Sequence, residues 1–464
     1  MAEKVWEDAR LGRVILASPG KSENGAVSRL EGITSSPLGR VPKMNPDRTI
    51  SAEGRFCHDQ RQVNEDCPKE RAPKVVLPTH SQVIKRILKW QVRYPGIPVW
   101  LAKRDVKAAF RLIPVHPADV AVFATDIPGE VAGLAAPVTA TWIVLTFGWA
   151  GSPGHWQVWA EGVRGAHMGM GPPNPEWNGD EAFESFMLVD DGILVEPGLG
   201  TRPRQSASAW EFALGQLLGP KALNVGKLEE EGTYAHSSVI WGVVMDTAAR
   251  TVSLQANKLI KAKHVLDDPC YDPGVQRLRL HALQVLRGNA QHWMVAQPRL
   301  KPELAVLDAL ARGTPTQAEY VVCKDEALWR EFGETMEMLR LLVGLPELWQ
   351  NNFTSSFLDV LKPEERGALP GVERSTVWVG SDATLTVLGF TDWTGGAYYR
   401  EEVSDFREAI SKWITEGDGQ GWGTIQGEEK LIISVCELLG FLLGAAMRGH
   451  LWRGKHVIYA GDNT

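Results

Sequence analysis

The chain has 464 residues, 44% of them hydrophobic and 23% charged, a composition that excludes a disordered or fibrous protein. Its length exceeds what one hydrophobic core serves, so about two to four domains are expected. The net charge of −7 excludes a uniformly basic nucleic-acid binder, yet residues 1–110 hold 20 Lys and Arg against 12 Asp and Glu, leaving −15 for the remainder. A basic end of this kind attracts phosphate, whereas the acidic remainder needs metal ions or solvent.

Five scattered cysteines, Cys57, Cys67, Cys270, Cys323 and Cys436, show no Cys-x-x-Cys spacing, which points to reduced thiols inside a cell. Cys57, His58 and Cys67 match no common zinc spacing and lack a fourth ligand. The stretch from Met1 to Leu16 has no continuous apolar core and is not a signal peptide. The most apolar stretch, Val131 to Gly151, is broken by Pro137, Thr139, Thr141 and Thr146 and reads as a soluble strand rather than a membrane span. No membrane partner is expected, and the location is cytoplasmic or nuclear.

Residues 1–35 are polar, with weak periodicity, and read as an extension or arm. Two short strands follow, Ser36 to Met44 and Arg55 to Asn64, separated by a polar turn from Asn45 to Gly54. Lys43, Arg55 and Arg61 lie near their ends. Converging cations hold a polyanion such as a triphosphate, although three solvated surface cations have the same sequence. Gln82 to Arg93 carries apolar residues at helical spacing. Val99 to Asp105 is an apolar strand ending in a carboxylate, which is costly when buried unless it has a partner or a task. A strand over Val138 to Leu145 leads into a glycine-rich turn, Phe147 to His155, that opens a helix over 156–165. Glycine there allows close backbone approach, but a short Gly/Pro turn is weak evidence alone. Gly162 to Gly179 reads as a long loop.

Phe186 to Val195 places two apolar runs around Asp190, Asp191 and a glycine, the pattern of a tight hairpin with an acidic turn. The two carboxylates repel each other and favour a hard divalent cation, unless the turn is simply solvated. A helix over Ser206 to Leu218, the segment Leu223 to Lys227 and a strand pair over Val239 to Asp246 follow. Residues 255–350 show helical periodicity, and 351–375 turn polar, as a linker does. The last region offers a strand from Thr376 ending at Asp382, a helix carrying Glu437, and Asp462 just after a strand over His456 to Ala460. Most of the 18 tryptophans are assigned to cores, with base stacking as the alternative for the rest.

The ordered set resembles the reverse transcriptase and ribonuclease H of retroelements, nearer to long-terminal-repeat and tyrosine-recombinase elements than to others. Asp105 to Phe110 resembles the first catalytic motif, Leu145 to Pro153 the second, Leu188 to Asp191 the third and Leu223 to Lys227 the fourth. Trp241 and Gly242 sit where the primer grip belongs. The resemblance implies an α/β protein with an α+β palm: a right-hand polymerase with fingers, palm and helical thumb, followed by an incomplete ribonuclease H-like domain.

In that reading Asp105, Asp190 and Asp191 hold two Mg²⁺ ions, with Mn²⁺ able to substitute. Lys43, Arg55 and Arg61 bind the incoming dNTP with Phe147 and Gly148, Phe110 is the gate against a 2′-hydroxyl, and Lys227 protonates the leaving group. The partners implied are an RNA or DNA template with its primer, and dNTPs. Leu188 departs from the aromatic residue usual there. Asp382, Glu437 and Asp462, separated by 55 and 25 residues, match three ribonuclease H carboxylates and metal ligands. The fourth belongs downstream of Thr464, so this domain is expected to be truncated. The domains are then 1–35 extension, 36–250 fingers and palm, 251–350 helical thumb, 351–375 linker and 376–464 ribonuclease H-like. Two rival readings remain, an RNA-templated RNA polymerase and a decayed copy that binds nucleic acid without catalysis.

Overall fold

The computed structural model describes residues 2–18, 32–44, 50–171, 182–272, 274, 277–344, 353–362, 365–366, 376–384, 387–402, 428–452 and 456–460. The chain divides into two compact units, Met1–Trp241 with Asp246–Ala248, and Gly242–Met245 with Ala249–Thr464. Both mix helices and sheets, the α/β class expected from the sequence.

Unit 1 begins with helix α1 (Ala2–Arg10) and strand β1 (Val14–Ala17), followed by the hairpin β2 (Leu38–Met44) and β3 (Ile50–His58). Helices α2 (Arg61–Asp66) and α3 (His80–Arg93) lead to β4 (Val99–Asp105). Thr79 and Gln82 form a reciprocal capping box that starts α3, and Val83, Ile84, Ile87 and Trp90 are its buried face. Strand β5 (Ala124–Ile127), the single turn α4 (Gly129–Ala132), β6 (Val138–Trp142) and helix α5 (Ser152–Gly169) come next. The unit closes with β7 (Ser185–Leu188), β8 (Asp191–Pro197), α6 (Arg202–Leu218), α7 (Val225–Glu231) and β9 (Ser237–Ile240).

The central sheet has the antiparallel order β4-β8-β7. Ala102, Met187 and Leu194 on one face pack against Trp156, Ala160 and Val163 of α5 and Trp210 and Leu214 of α6. Each large side chain fully withdrawn from water there contributes roughly 1.5–3 kcal/mol. The second sheet has the order β1-β6-β5, and all five residues of β6 are buried.

Residues 2–17 are therefore not an arm. β1 pairs with β6 in the register Val14↔Trp142, and Val5 of α1 joins the same core. A short edge strand with one buried residue leaves too little apolar pattern to be read. Three local readings also shift. The second of the two N-terminal strands starts at Ile50 and ends at His58, with Arg61 to Asp66 helical, and α5 runs on to Gly169 through part of the expected loop. Residues 172–181 lie outside the described residues.

Beyond β10 (Val243–Asp246), unit 2 contains β11 (Thr251–Leu254) and four helices, α8 (Ala256–Leu266), α9 (Leu280–Ala296), α10 (Lys301–Ala311) and α11 (Glu326–Gly344). Their shared interior includes Leu283, Leu286, Trp293, Leu307, Phe332 and Met336. The expected linker is structured where it is described: β12 (Thr354–Ser356) pairs with β11, and Phe353, Phe357 and Leu361 are buried. Three apolar anchors in a polar stretch suffice to pin it, and composition averages conceal them. The last sheet has the order β15-β14-β13-β16, from β13 (Thr376–Ala383), β14 (Val387–Asp392), β15 (Ala397–Glu402) and β16 (His456–Ala460). β13 and β16 run parallel, and the helix Glu428–Arg448 covers one face. All five cysteines are free thiols.

Candidate active site

The antiparallel register of β4 and β8 sets Asp105 directly opposite Asp191. Partners in such a pair share one face of the sheet, so both carboxylates emerge on the side away from α5 and α6. The hairpin closes one residue earlier than the sequence implied. Leu188 pairs with Asp191, and the two turn residues are Val189 and Asp190. Val189 has φ 54°, which is strained for a β-branched side chain. Its carbonyl accepts the Trp156 indole N–H at 2.9 Å, and the Asp190 carbonyl accepts the Val106 amide at 2.9 Å. These bonds hold the strained turn.

Gly192 also serves differently from its expected part in the turn. A Cβ there would lie 2.8 Å from the Trp210 ring, so the glycine lets α6 press against β8 directly beneath the acidic pair.

Asp105 is 6% exposed and shared between two partners. Lys227 forms an ion pair with Oδ2, while Asn224 donates to Oδ1 at 2.6 Å. Asn224 also caps α7 by accepting the Lys227 amide and donates its own amide to the Asp105 carbonyl at 2.9 Å. This residue was missed in the sequence, where the only signal was an Asn just ahead of a helical segment.

Burial, then the charge of Asp190 and more weakly that of Asp105, push the Asp191 carboxyl above its usual range, while Lys227 and Lys103 oppose them. Burial pulls the Lys227 ammonium down, but the Asp105 hydrogen bond and the three carboxylates overcome it and raise the pKa. Among the described residues no three His, Cys, Asp or Glu side chains converge as a ready ligand set. The donor chemistry nevertheless fits a hard divalent cation: like-charged carboxylate oxygens gathered at one strand end are relieved by added positive charge.

After Ala108, at φ 57°, a 3₁₀ turn over Ala109–Leu112 carries Phe110. Its buried ring lies 4.8 Å from that of Phe147, tilted by 50°. Phe147 is partly open to solvent, and its carbonyl accepts the His58 amide at 2.9 Å. Gly148 has φ 126°, and a Cβ there would stand 2.0 Å from the His58 carbonyl oxygen, so only glycine fits this approach.

Arg61 opens α2 and is paired with its neighbour Asp59 at 2.6 Å. Lys43 and Arg55 lie in β2 and β3, their side chains outside the described residues. Trp241 and Gly242 form a two-residue turn with φ 47° and 89°, and the Trp241 ring meets His80 edge-on at 5.5 Å.

Of the C-terminal carboxylates, Asp382 and Glu437 lie among the described residues. Ser381 Oγ donates to the Glu437 carbonyl at 2.6 Å, which fixes Ser381 on the helix-covered face of β13. Alternation then turns Asp382 to the opposite, open face, where it borders a cavity with Thr391, Trp393 and Tyr398. Glu437 is buried on the covered side. Asp462 lies outside the described residues.

No protein-family model matches the chain, and no curated protein does. Similar solved structures include the foamy viral protease-reverse transcriptase dRH in complex with double-stranded DNA, at 13% identity and TM-score 0.47, over 98% of this chain and 68% of that one. The foamy viral protease-reverse transcriptase in complex with double-stranded DNA gives 13% and 0.46 over 100% and 82%, and its RNA/DNA hybrid complex 14% and 0.43 over 99% and 52%. The strand order and register described above are the chain's own, and they set Asp105, Asp191 and the Asp190 turn at one end of an antiparallel sheet.

Proposed function

We propose that the chain is a template-directed DNA polymerase of the reverse transcriptase type, whose motif spellings lie nearest to long-terminal-repeat and tyrosine-recombinase elements. The observation that carries this reading is the Asp105↔Asp191 register, with Asp190 on the adjoining turn and Lys227 reaching the same carboxylate. Carboxylates from two strands meeting at one sheet end suit a reaction in which negative charge builds on a primer oxygen and on a leaving pyrophosphate.

When bound, two Mg²⁺ ions would lower the pKa of the primer 3′-hydroxyl and neutralise the leaving group. Asp105, Asp190 and Asp191 would hold them. Lys227, charged through its contact with Asp105, is placed to hand a proton to the pyrophosphate side. Asn224 orients Asp105 through its other carboxylate oxygen. Phe110, buried against Phe147, walls off the space where a 2′-hydroxyl would sit, which favours DNA synthesis over the RNA-polymerase alternative. The C-terminal sheet has no part in this proposal, because Asp382 lies on the face of β13 opposite the helix that carries Glu437.

The test is primer extension on poly(rA)/oligo(dT) with Mg²⁺ and dTTP, alongside Asp105→Asn and Phe110→Val. The wild-type chain should extend the primer, Asp105→Asn should not, and Phe110→Val should admit ribonucleotides more readily. A chain that binds the hybrid but adds no nucleotide would favour the non-catalytic reading instead.

A further inference from the structure

We propose that Asp8, on the N-terminal helix, is a positioning residue for the Phe110–Phe147 pair and thereby for the choice between deoxy- and ribonucleotides. The inference rests on the polymerase reading for what the pair does, but its geometry does not.

Asp8 is 3% exposed, and a carboxylate withdrawn that far from water is tolerable only with strong partners. It has three. Arg111 donates to Oδ2 in an ion pair, the Trp142 indole N–H reaches Oδ2 at 3.4 Å, and Arg13 stands 3.6 Å from Oδ1. Two of these lead to the aromatic pair. Arg111 follows Phe110 within the same 3₁₀ turn, so anchoring its guanidinium fixes the turn that aims the Phe110 ring. Trp142 meets His58 edge-on, with ring centroids 4.4 Å apart, and the His58 amide donates to the Phe147 carbonyl at 2.9 Å.

Among the described residues, neither ring nitrogen of His58 has a hydrogen-bond partner. His58 therefore acts by shape, transmitting the position of Trp142 to the backbone of Phe147. Asp8 thus grips both sides of one ring pair, from a helix with no direct contact to the reacting groups. Without the carboxylate, the Arg111 guanidinium is left partly buried and unpaired, and it will turn to solvent or to another acceptor. Either movement releases the Phe110 turn.

The experiment uses the full chain as wild type, Asp8→Asn, Asp8→Glu and Trp142→Phe. Single-nucleotide incorporation is measured as kcat/KM for a dNTP and for the matching rNTP, and amide hydrogen exchange is followed over residues 58 and 106–113. Asp8→Asn should lower the dNTP-to-rNTP ratio about 10-fold, the scale on which pocket shape discriminates. Asp8→Glu should recover part of that loss, and Trp142→Phe should lose less than Asp8→Asn.

Exchange should quicken at His58, Arg111 and Ile113, whose amides hydrogen-bond within the two arms, but not at Val106 or Lys107, which bond to the Asp190 and Ala222 carbonyls. If both efficiencies fall together with an unchanged ratio, Asp8 only supports the fold and the inference is overturned. If the wild type extends no primer, the polymerase reading fails, and exchange alone decides whether Asp8 holds the pair. Unaltered exchange in Asp8→Asn, or in Trp142→Phe should Asp8→Asn not fold, also overturns it.

Discussion

The central sheet of unit 1 and the last sheet of unit 2 begin from the same sequence signal, an apolar strand that ends in aspartate. In the central sheet, Asp105 and Asp191 are cross-strand partners and must share a face. In the last sheet, the partner acid, Glu437, comes from a helix, and Ser381 rather than Asp382 faces that helix. One residue of strand parity separates a cross-strand pair of carboxylates from an aspartate turned to the face opposite its helix. An acidic residue at a strand end is thus a site only when register or parity delivers its partner to the same side.

The largest expected effect tests that contrast directly. Asp105→Asn or Asp191→Asn should cut primer extension by on the order of 10³-fold or more, as losing a group that acts only in the transition state does. Asp382→Asn should leave extension unchanged. Equal losses from Asp105→Asn and Asp382→Asn in steady-state assays would erase the distinction between the two sheets.

The sheets also differ in how their charges are buried. Within β8, Glu196 is fully buried and accepts from Arg202 at 2.5 Å and from Ser206 at 2.9 Å. Burial pushes its carboxyl up to about 7 against the pull of Arg202 and Arg86. Glu196→Ala removes the buried carboxylate that balances the Arg202 charge and should cost about 3–5 kcal/mol in urea unfolding. Asp392 of the last sheet holds Arg448 at 2.8 Å but also accepts from Gly395 and Trp452, so Asp392→Asn should cost visibly less.

Acid should weaken unit 1 through its buried histidines. Burial, reinforced by Arg111, lowers His58 to about 4, and burial, reinforced by Arg202 and Arg86, lowers His167 to about 4 despite a hydrogen bond to the Ser206 carbonyl that raises it. Above pH 6.5 both are neutral, folded or unfolded, and contribute nothing. Between about 6.5 and 4 the unfolded chain takes up protons that the folded one refuses, so stability falls with pH by up to about 3 kcal/mol for each. His58→Phe, which sacrifices no hydrogen bond of that ring, should flatten this slope in melts between pH 7 and 4. A slope identical to wild type would show that His58 titrates normally.

The smallest effect belongs to the last sheet. A Cβ at Gly444 would lie 2.4 Å from the Phe390 ring, so Gly444→Ala should overpack the helix against β14 and cost about 1–3 kcal/mol. Primer extension should not change with it, and a matching loss would tie the site to that sheet.

Much of the site was legible in the chain. An apolar run with a terminal carboxylate marked β4, paired apolar runs marked the Asp190–Asp191 hairpin, and helical spacing marked α3 and α6. Those signals are local, since an element's period and its turn residues are set by neighbours in the sequence. Register, parity and long-range pairing are not local. The choice of Val189 and Asp190 as turn residues, the seating of Gly192 under Trp210, the turning of Ser381 rather than Asp382 toward the covering helix and the capture of Arg111 by Asp8 each depend on a partner from a distant segment, and only packing in three dimensions decides which partner a side chain meets.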